Sequence, residues 1–467
     1  MPRHFHIITL GCPKNSVDSR QISGYLANEG YVYTEDADRA DVILVNTCGF
    51  IEDAKIESIE AILDAAKWKE KGSCEYLIVT GCLAQKYSRE LAIELPEVDA
   101  YVGTGDIPHL PALLDTLTSV KFMESCKTLN SLEPEKARMP LIRVTDPNKF
   151  LFNESLPLVT EKPKHYAYIK IAEGCDNRCS YCVIPSIRGN YRSRRIEAIA
   201  DEAEMLVKNG VRELILVAQD TTYYGMDNYR AYMLPDLLKE LVKIPDLQWV
   251  RLLYSYPKHI TERLLDTIEN ERKICSYLDI PLQHISDRIL KAMRRTVGRE
   301  ETIKTLKKVR SIIPDVTLRS TFIVGFPGET KEEFAELLAF IAEAKFDRAG
   351  FFAYSAQPQT PAADLPDQVP DEEKQYRLDM ISNVQTEIMA AKLSQSVNSI
   401  RTVMVDGLST EYEGFWEGRT SSDAPEIDSV VYFKPLQNTK PGDLLKVKIT
   451  HSTDFTLLGE VYHESSK

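Results

Sequence analysis

The segment Glu173–Pro185, EGCDNRCSYCVIP, carries three cysteines, Cys175, Cys179 and Cys182, in the spacing C-x3-C-x2-C. Structural zinc takes four ligands, commonly as two closely spaced pairs, and no second pair follows nearby. Four-iron clusters likewise normally take four cysteines. A cluster held by three leaves one iron open, and an open iron can bind and reduce a small molecule. An apolar strand-like run, Tyr166 to Ile171, leads straight into the loop, which argues against a partial zinc knuckle or three incidental thiols.

Downstream of the triplet, strand and helix patterns alternate. Strands are expected to Ala172 and over Glu213–Ala218, Trp249–Leu253, Tyr277–Ile280, Val316–Val324 and Ala349–Tyr354. Six strands are too few for a closed eight-fold barrel, so a partial parallel barrel, open on one side for a large substrate, fits better. Active-site groups should then follow the strand ends, as the triplet does. GFPGET (325–330) has two readings: a cradle for a ligand, or a helix-entry turn with Glu329 near the helix N-terminus. His284 reads equally as acid, base or satisfied core histidine. RGNYRSRR, with Arg188, Arg192, Arg194 and Arg195, is either a solvated basic face or, lying just beyond the triplet, an anion-facing group.

The first 120 residues also read as strand and helix. Phe5–Leu10, Val42–Val45 and Tyr76–Val79 are short apolar runs, as expected of parallel strands buried on both faces. Ile56, Ile59, Leu63 and Ala66 mark one helix, and Leu83, Tyr87 and Leu91 another. A doubly wound sheet follows. Cys12 (GCPKN), Cys48 (NTCGF) and Cys82 (TGCLA) each lie just past the end of a strand, so their loops converge on one crevice at the carboxyl edge. Gly11, Gly49 and Gly81 beside them allow close backbone approach to a metal cluster. A lone cysteine is ordinarily a small buried apolar residue, and Cys74, Cys126 and Cys275 are read that way. Three at one topological position suggest a second cluster.

Composition frames both sites. The chain has 467 residues, room for about two to four domains. Nine cysteines with no secretory leader suggest a reducing cytoplasm and metal use rather than disulfides. No apolar run approaches membrane-spanning length. The net charge of −13 disfavours binding a phosphate backbone and suits a basic protein partner. Residues 121–164 are polar and Pro-rich, and read as a connector. Beyond a long helix, Glu372–Leu393, residues 396–467 turn to short β runs (RTVMVD, SVVYF, LLKVKIT, GEVYH) and suggest a small β-barrel. That stretch carries 7 Lys/Arg against 11 Asp/Glu, a net of −4.

GCPKN, NTCGF, TGC, CDNRCSYCVIP, RGNYRSR, PLQH and FIVGFPGET, in this order over nearly the whole chain, resemble the radical S-adenosylmethionine (SAM) methylthiotransferases. The resemblance implies an N-terminal cluster domain (1–120), a radical SAM core (165–395) and a TRAM barrel (396–467). GCPKN and GRTSSDAPEIDSVVYF are similar to the branch that modifies an aspartate of a small-subunit ribosomal protein, the one numbered twelve. The alternative is the branch that modifies an adenosine of transfer RNA, which usually has GCQMN and a more basic barrel. Ser16 and Arg20 stand where Leu and Glu are commoner, Ala218 where glycine is, and QPQTPA replaces EGTPA. These departures leave all six cluster cysteines in place.

By resemblance, a 4Fe-4S cluster on Cys175, Cys179 and Cys182 chelates SAM and reduces it to a 5′-deoxyadenosyl radical, which takes hydrogen from the aspartate β-carbon. A second 4Fe-4S cluster on Cys12, Cys48 and Cys82 carries sulfur that another SAM methylates. An unactivated aliphatic C–H is too weak an acid for a His or Glu base, so radical cofactor chemistry is required. Tyr181, Gln219, Asp220, Ser255, Gln283, Arg319 and Gly325 are the candidate SAM contacts. Implied partners are the basic ribosomal protein, an electron donor such as flavodoxin or ferredoxin, and a sulfide or polysulfide source, all in the cytoplasm and away from membranes.

Overall fold

Two runs with every residue buried, Val42–Thr47 (VILVNT) and Tyr76–Gly81 (YLIVTG), sit side by side in the first of three β structures. The computed structural model describes residues 3–72, 74–128, 139–149 and 164–462, apart from the side chains of 121–128. Much of the expected connector, 129–138 and 150–163, therefore lies outside the described residues. The chain divides into two compact units: 1–162 with 173–176 and 183–194, and 163–172 with 177–182 and 195–467.

In the first unit, β1 (His4–Thr9), β2 (Val32–Tyr33), β3 (Val42–Thr47), β4 (Tyr76–Gly81), β5 (Ala100–Val102) and β6 (Leu141–Arg143) form a parallel sheet ordered β2-β1-β3-β4-β5-β6. The helices are α1 (Pro13–Asn28), α2 (Glu52–Lys71), α3 (Cys82–Glu94) and α4 (Leu110–Thr128). Strand residues alternate between faces. Val42 and Leu44 pack with Ile22 and Leu26 of α1 and Leu114 of α4. Ile43 and Val45 pack with Ile62 of α2 and Leu83 and Leu91 of α3. This is the doubly wound sheet expected, with three further strands. Two of them, β2 and β5, are too short to register as periodic runs, and β6 falls in the stretch read as connector. Cys126, read in an irregular stretch, lies within α4.

Of the apolar positions that marked α2, Ile59 and Ala66 pack against the core and two do not. Ile56 and Leu63 are 50% and 42% exposed, while Lys55, Ser58, Ile62 and Ala65 are buried. The helix is turned so that the Ser58 hydroxyl reaches the Cys48 backbone, accepting from its N–H at 3.0 Å and donating to its carbonyl at 2.9 Å.

The two-residue strands β8 (Ala172–Glu173) and β9 (Arg192–Ser193) flank the cysteine loop in sequence, with the short helix α5 (Ile184–Arg188) between them. In the second unit, β7 (Tyr166–Lys170), β10 (Glu213–Val217), β11 (Trp249–Leu252), β12 (Ile274–Asp279), β13 (Thr317–Val324) and β14 (Arg348–Ala353) follow one another in a six-stranded parallel sheet. Between them run α6 (Ile196–Lys208), α7 (Leu234–Leu241), α8 (Glu262–Asn270), α9 (Asp287–Ala292), α10 (Arg299–Ile312) and α11 (Lys331–Ala344). The sheet stays open between β7 and β14, as expected of a partial barrel.

Helix α12 (Asp371–Ser394) leads to a closed five-stranded barrel of β15 (Ile400–Leu408), β16 (Trp416–Thr420), β17 (Val431–Phe433), β18 (Leu444–Ser452) and β19 (Leu457–Val461). Leu393 of α12 joins Val403, Val405, Phe433, Val447 and Ile449 in its core. Strand β16 was not anticipated, because Glu417 and Arg419 interrupt its apolar pattern; Arg419 is buried through ion pairs rather than exposed.

From Arg419 to Asp428, the chain around and beyond the end of β16 meets a residue from every strand of the six-stranded sheet. Tyr166 and Tyr168 of β7 donate to Glu426. Arg419 pairs with Glu213 of β10 at 2.7 Å, and Arg251 of β11 donates to the Ser421 carbonyl at 2.8 Å. Tyr277 of β12 donates to Asp428 at 2.7 Å; Arg319 of β13 lies 3.8 Å from Asp428, and Arg348 of β14 pairs with Asp423 at 2.6 Å. Four acidic groups of the barrel, Asp406, Asp423, Glu426 and Asp428, are thereby engaged, Asp406 with His165 at 2.6 Å. Among the described residues, no helix is long and apolar enough to cross a membrane.

Candidate active site

The first sheet changes winding direction between β1 and β3, the switch point where doubly wound folds bind ligands. Cys12 is the N-cap of α1 beyond β1, Cys48 directly follows β3, and Cys82 opens α3 directly after β4. Two of the three cysteines thus stand at helix N-termini, where the macrodipole favours a thiolate. The loops meet closely because glycine permits it. At Gly81 (φ +95°) a Cβ would fall 2.4 Å from the Thr47 carbonyl oxygen, and at Gly11 (φ +86°) 2.7 Å from the Cys48 Cβ.

Two buried asparagines tie these loops together. Asn15 donates through Nδ2 to the carbonyls of Leu10 (2.8 Å) and Thr47 (3.0 Å). Asn46 donates to the Asn15 carbonyl (2.9 Å) and the Ser19 hydroxyl (3.0 Å). Arg188, also buried, places its Nη2 2.8 Å from Asn15 Oδ1 and 3.4 Å from Cys82 Sγ. Burial pushes the Cys48 thiol up to about 11, the nearby Cys82 and Cys12 add to this, and Arg188 opposes it. Cys82 is raised by burial and eased by the same arginine. Cys48 and Cys82 therefore sit where a bare thiolate is penalised, and a bound metal would relieve the penalty.

Among the described residues no three His, Cys, Asp or Glu side chains are set as ligands of a single metal ion. A four-iron cluster asks something different, since each cysteine binds a different iron. Three glycine-flanked thiols, two of them at helix N-termini, beside one buried cation fit such a cluster.

The radical-type cysteine loop is anchored at both ends. The Cys175 N–H donates to the Gly189 carbonyl at 3.1 Å, and Tyr191 N to Asp176 Oδ1 at 3.1 Å. Further along, Ser180 donates through N and Oγ to the carbonyls of Met293 (3.0 Å) and Ala292 (2.8 Å) at the end of α9. Tyr181 packs against Met293, Phe326, Tyr354 and Ala362. Arg295 stacks over the Tyr256 ring at 4.3 Å, and its charge is felt by Cys179 and Tyr181.

The candidate SAM contacts divide by surroundings. Gln219, Ser255 and Gln283 follow the ends of β10, β11 and β12, on the edge where the cysteine loop leaves β7. The buried Ser255 hydroxyl has no hydrogen-bond partner among the described residues. Gln283 holds a left-handed backbone (φ +76°) and bridges to Phe322. Asp220 is buried and accepts from Asn177 (3.1 Å), Thr222 (2.7 Å), the Tyr223 N–H (3.1 Å) and His259 (3.0 Å), so it braces the loops. Arg319 is held by Asp279 at 3.0 Å and faces Asp428 of the barrel. Gly325 and Phe326 donate their N–H groups to Glu329, which also pairs with Arg377 at 3.4 Å, so GFPGET is built as a helix-entry turn. His284 is fully buried and accepts from Ser286 N at 3.0 Å, while its Nε2, 3.5 Å from Glu329, has no hydrogen-bond partner among the described residues. Arg295, Asn15 and Asn46 were not singled out from sequence. Asn15 and Asn46 at least belong to motifs that were, GCPKN and NTCGF; Arg295, in an unremarked MRRTVGR stretch, carries no such signal.

Comparison with known proteins agrees with this layout. The Radical SAM superfamily matches residues 169–341, the Uncharacterized protein family UPF0004 residues 4–103, and the TRAM domain residues 399–461. A solved radical SAM methyltransferase, TsrM from Kitasatospora setae, aligns at a TM-score of 0.56 and 16% identity, over 78% of this chain and 77% of that one, a likeness of fold. Fold and site together define a radical SAM enzyme with SAM and 4Fe-4S clusters as cofactors. Over 97% of its length the chain is 46% identical to the ribosomal protein uS12 methylthiotransferase RimO of Geobacter sulfurreducens, covering 98% of that protein. The same-named protein of Pelotomaculum thermopropionicum is 47% identical, again over 97% and 98%. The chain belongs to the RimO family of radical SAM methylthiotransferases.

Proposed function

We propose that the chain transfers a methylthio group to the β-carbon of an aspartate in ribosomal protein uS12. The observation that carries this reading is the likeness, over nearly the full length, to relatives named for that activity. Cys175, Cys179 and Cys182 hold one 4Fe-4S cluster in this reading, and Cys12, Cys48 and Cys82 the other. When bound, the first supplies the electron that cleaves SAM, and the second supplies the sulfur to be transferred.

The chain's own residues orient and shield. Ser255, whose hydroxyl has no partner among the described residues, and Gln219 and Gln283 after the ends of the neighbouring strands are offered to the polar groups of SAM. Asp220 keeps the cysteine loop in register through Asn177. Tyr181, packed on Met293 and Phe326, keeps water from the reacting centre. A flavodoxin- or ferredoxin-like donor would deliver electrons, and sulfide or polysulfide would renew the sulfur. The reaction belongs in the cytoplasm, where uS12 is made.

The test is anaerobic incubation of the reconstituted enzyme with SAM, reductant, sulfide and either uS12 or tRNA, read by mass spectrometry. A methylthio group on a uS12 aspartate is expected. Its appearance on tRNA instead would overturn the assignment.

A further inference from the structure

We propose that Arg188 is a positioning residue for the N-terminal cluster, holding the Cys82 thiolate by an N–H···S hydrogen bond and setting the cluster's reduction potential. The proposal rests on the reading that Cys12, Cys48 and Cys82 bind a cluster.

The guanidinium is 2% exposed and shared among four acceptors. Nη1 pairs with Asp18 at 2.7 Å and Glu173 at 3.2 Å, while Nη2 donates to Asn15 at 2.8 Å and lies 3.4 Å from Cys82 Sγ. Its backbone is fixed from both sides. Thr104 donates to the Ile187 carbonyl at 2.9 Å, and Arg192 to the Arg188 carbonyl at 3.1 Å. Ile187 packs with Cys82 and Val183. A guanidinium carries five N–H donors, more than one carboxylate can take up. Two carboxylates and an asparagine aim this one, so that one edge of its fork is left for sulfur.

Hydrogen bonds to cluster sulfurs and nearby positive charge both move a cluster's potential. A cation fixed at a ligand sulfur offsets the charge added on reduction and so makes reduction easier. Six residues after Cys182, RGNYRSR thus contributes Arg188 to the other set of cysteines.

The experiment uses the full-length chain carrying Cys175→Ala, Cys179→Ala and Cys182→Ala, reconstituted anaerobically, so that only the N-terminal cluster contributes. Iron is counted first, and the potential is then read by EPR-monitored redox titration. Arg188→Gln should keep the cluster but lower the equilibrium constant for its reduction at least tenfold, about 59 mV for one electron. Arg188→Lys, which keeps charge without the fork, should fall between. Bound iron with an unchanged potential in both variants would overturn the proposal, as would loss of the cluster from both, which would make Arg188 a folding residue. Absence of iron before Arg188 is changed would instead overturn the cluster reading beneath it, and the proposal with it.

Discussion

Glu213 Oε2 accepts from Arg419 Nη1 at 2.7 Å with both side chains buried, so the first residue of β10 and a barrel strand share one ion pair. Oε1 of the same carboxylate accepts from buried Arg251, also at 2.7 Å. Removing one member of a buried charge network leaves the others uncompensated, which costs about 3–5 kcal/mol. Glu213→Gln should therefore lower the urea midpoint of the unit holding sheet and barrel. Glu240→Gln, which breaks an exposed pair with Lys243, should change stability by only about 0–1 kcal/mol.

The pH dependence of that variant has a definite sign. Burial alone would raise the Glu213 carboxyl, but Arg251 and Arg419 outweigh it and hold it below the ordinary glutamate range. A depressed folded pKa gives stability that is present above about pH 4.3 and lost as pH falls through the folded value. The gap between the parent and Glu213→Gln should be full at neutral pH and narrow in acid. Urea titrations at neutral pH and near pH 3 measure it, and a gap that widens in acid would refute the assignment.

Much of this architecture was legible because its strands are short apolar runs at regular intervals and its cysteines follow their ends. The illegible parts have physical causes. Strand β16 is hidden because Arg419 is buried as an ion rather than as an apolar side chain. Of the four apolar positions that marked α2, Ile59 and Ala66 pack on the core but Ile56 and Leu63 do not, because polar Ser58, bonded to the Cys48 backbone, takes a place on the buried face. The role of Arg188 needed coordinates, since sequence offered a solvated face and an anion-facing group on equal terms. Gly325 follows the end of β13, but its N–H is taken up by Glu329 in the next turn, while Arg319 lies near the amino end of that strand and is held by Asp279.

Gly81 offers a sharper test of the N-terminal site. With φ +95° and ψ −161° it occupies a region nearly closed to side chains, costing about 1–3 kcal/mol for any other residue. Gly81→Ala would also drive a methyl group against the Thr47 carbonyl and the Asn46 amide. The variant should lose about half of the bound iron while still cleaving SAM to 5′-deoxyadenosine. Full iron content would show that the loops can separate without harm.

Division of labour between the cysteine sets predicts a split in products. Cys48→Ala should abolish methylthio transfer while SAM cleavage continues, and Cys179→Ala should stop both. Chromatography of 5′-deoxyadenosine beside mass spectrometry of uS12 reads the two outcomes. A Cys48→Ala protein unable to cleave SAM would contradict separate roles.

Charge that remains exposed at the barrel surface allows the electrostatic part of substrate choice to be tested. Asp423 and Asp428 cannot report on it, because they pair with Arg348 and lie against Arg319 inside the second unit, so reversing them would break the fold. Glu413, Asp454 and Glu460 are exposed, and reversing them leaves the interior network untouched. Replacing all three with Lys turns a barrel of net −4 into one of net +2, since each change adds two charges. A basic protein such as uS12 should then bind more slowly and more weakly at low salt. The difference should shrink as ionic strength rises, because the Debye length falls from about 30 Å at 0.01 M to about 8 Å at 0.15 M. SAM cleavage without substrate should be unchanged. Association rates measured across that salt range decide the matter. Identical rates for parent and triple variant at every ionic strength would mean that these acids serve solubility alone, and that recognition of the ribosomal protein lies elsewhere on the chain.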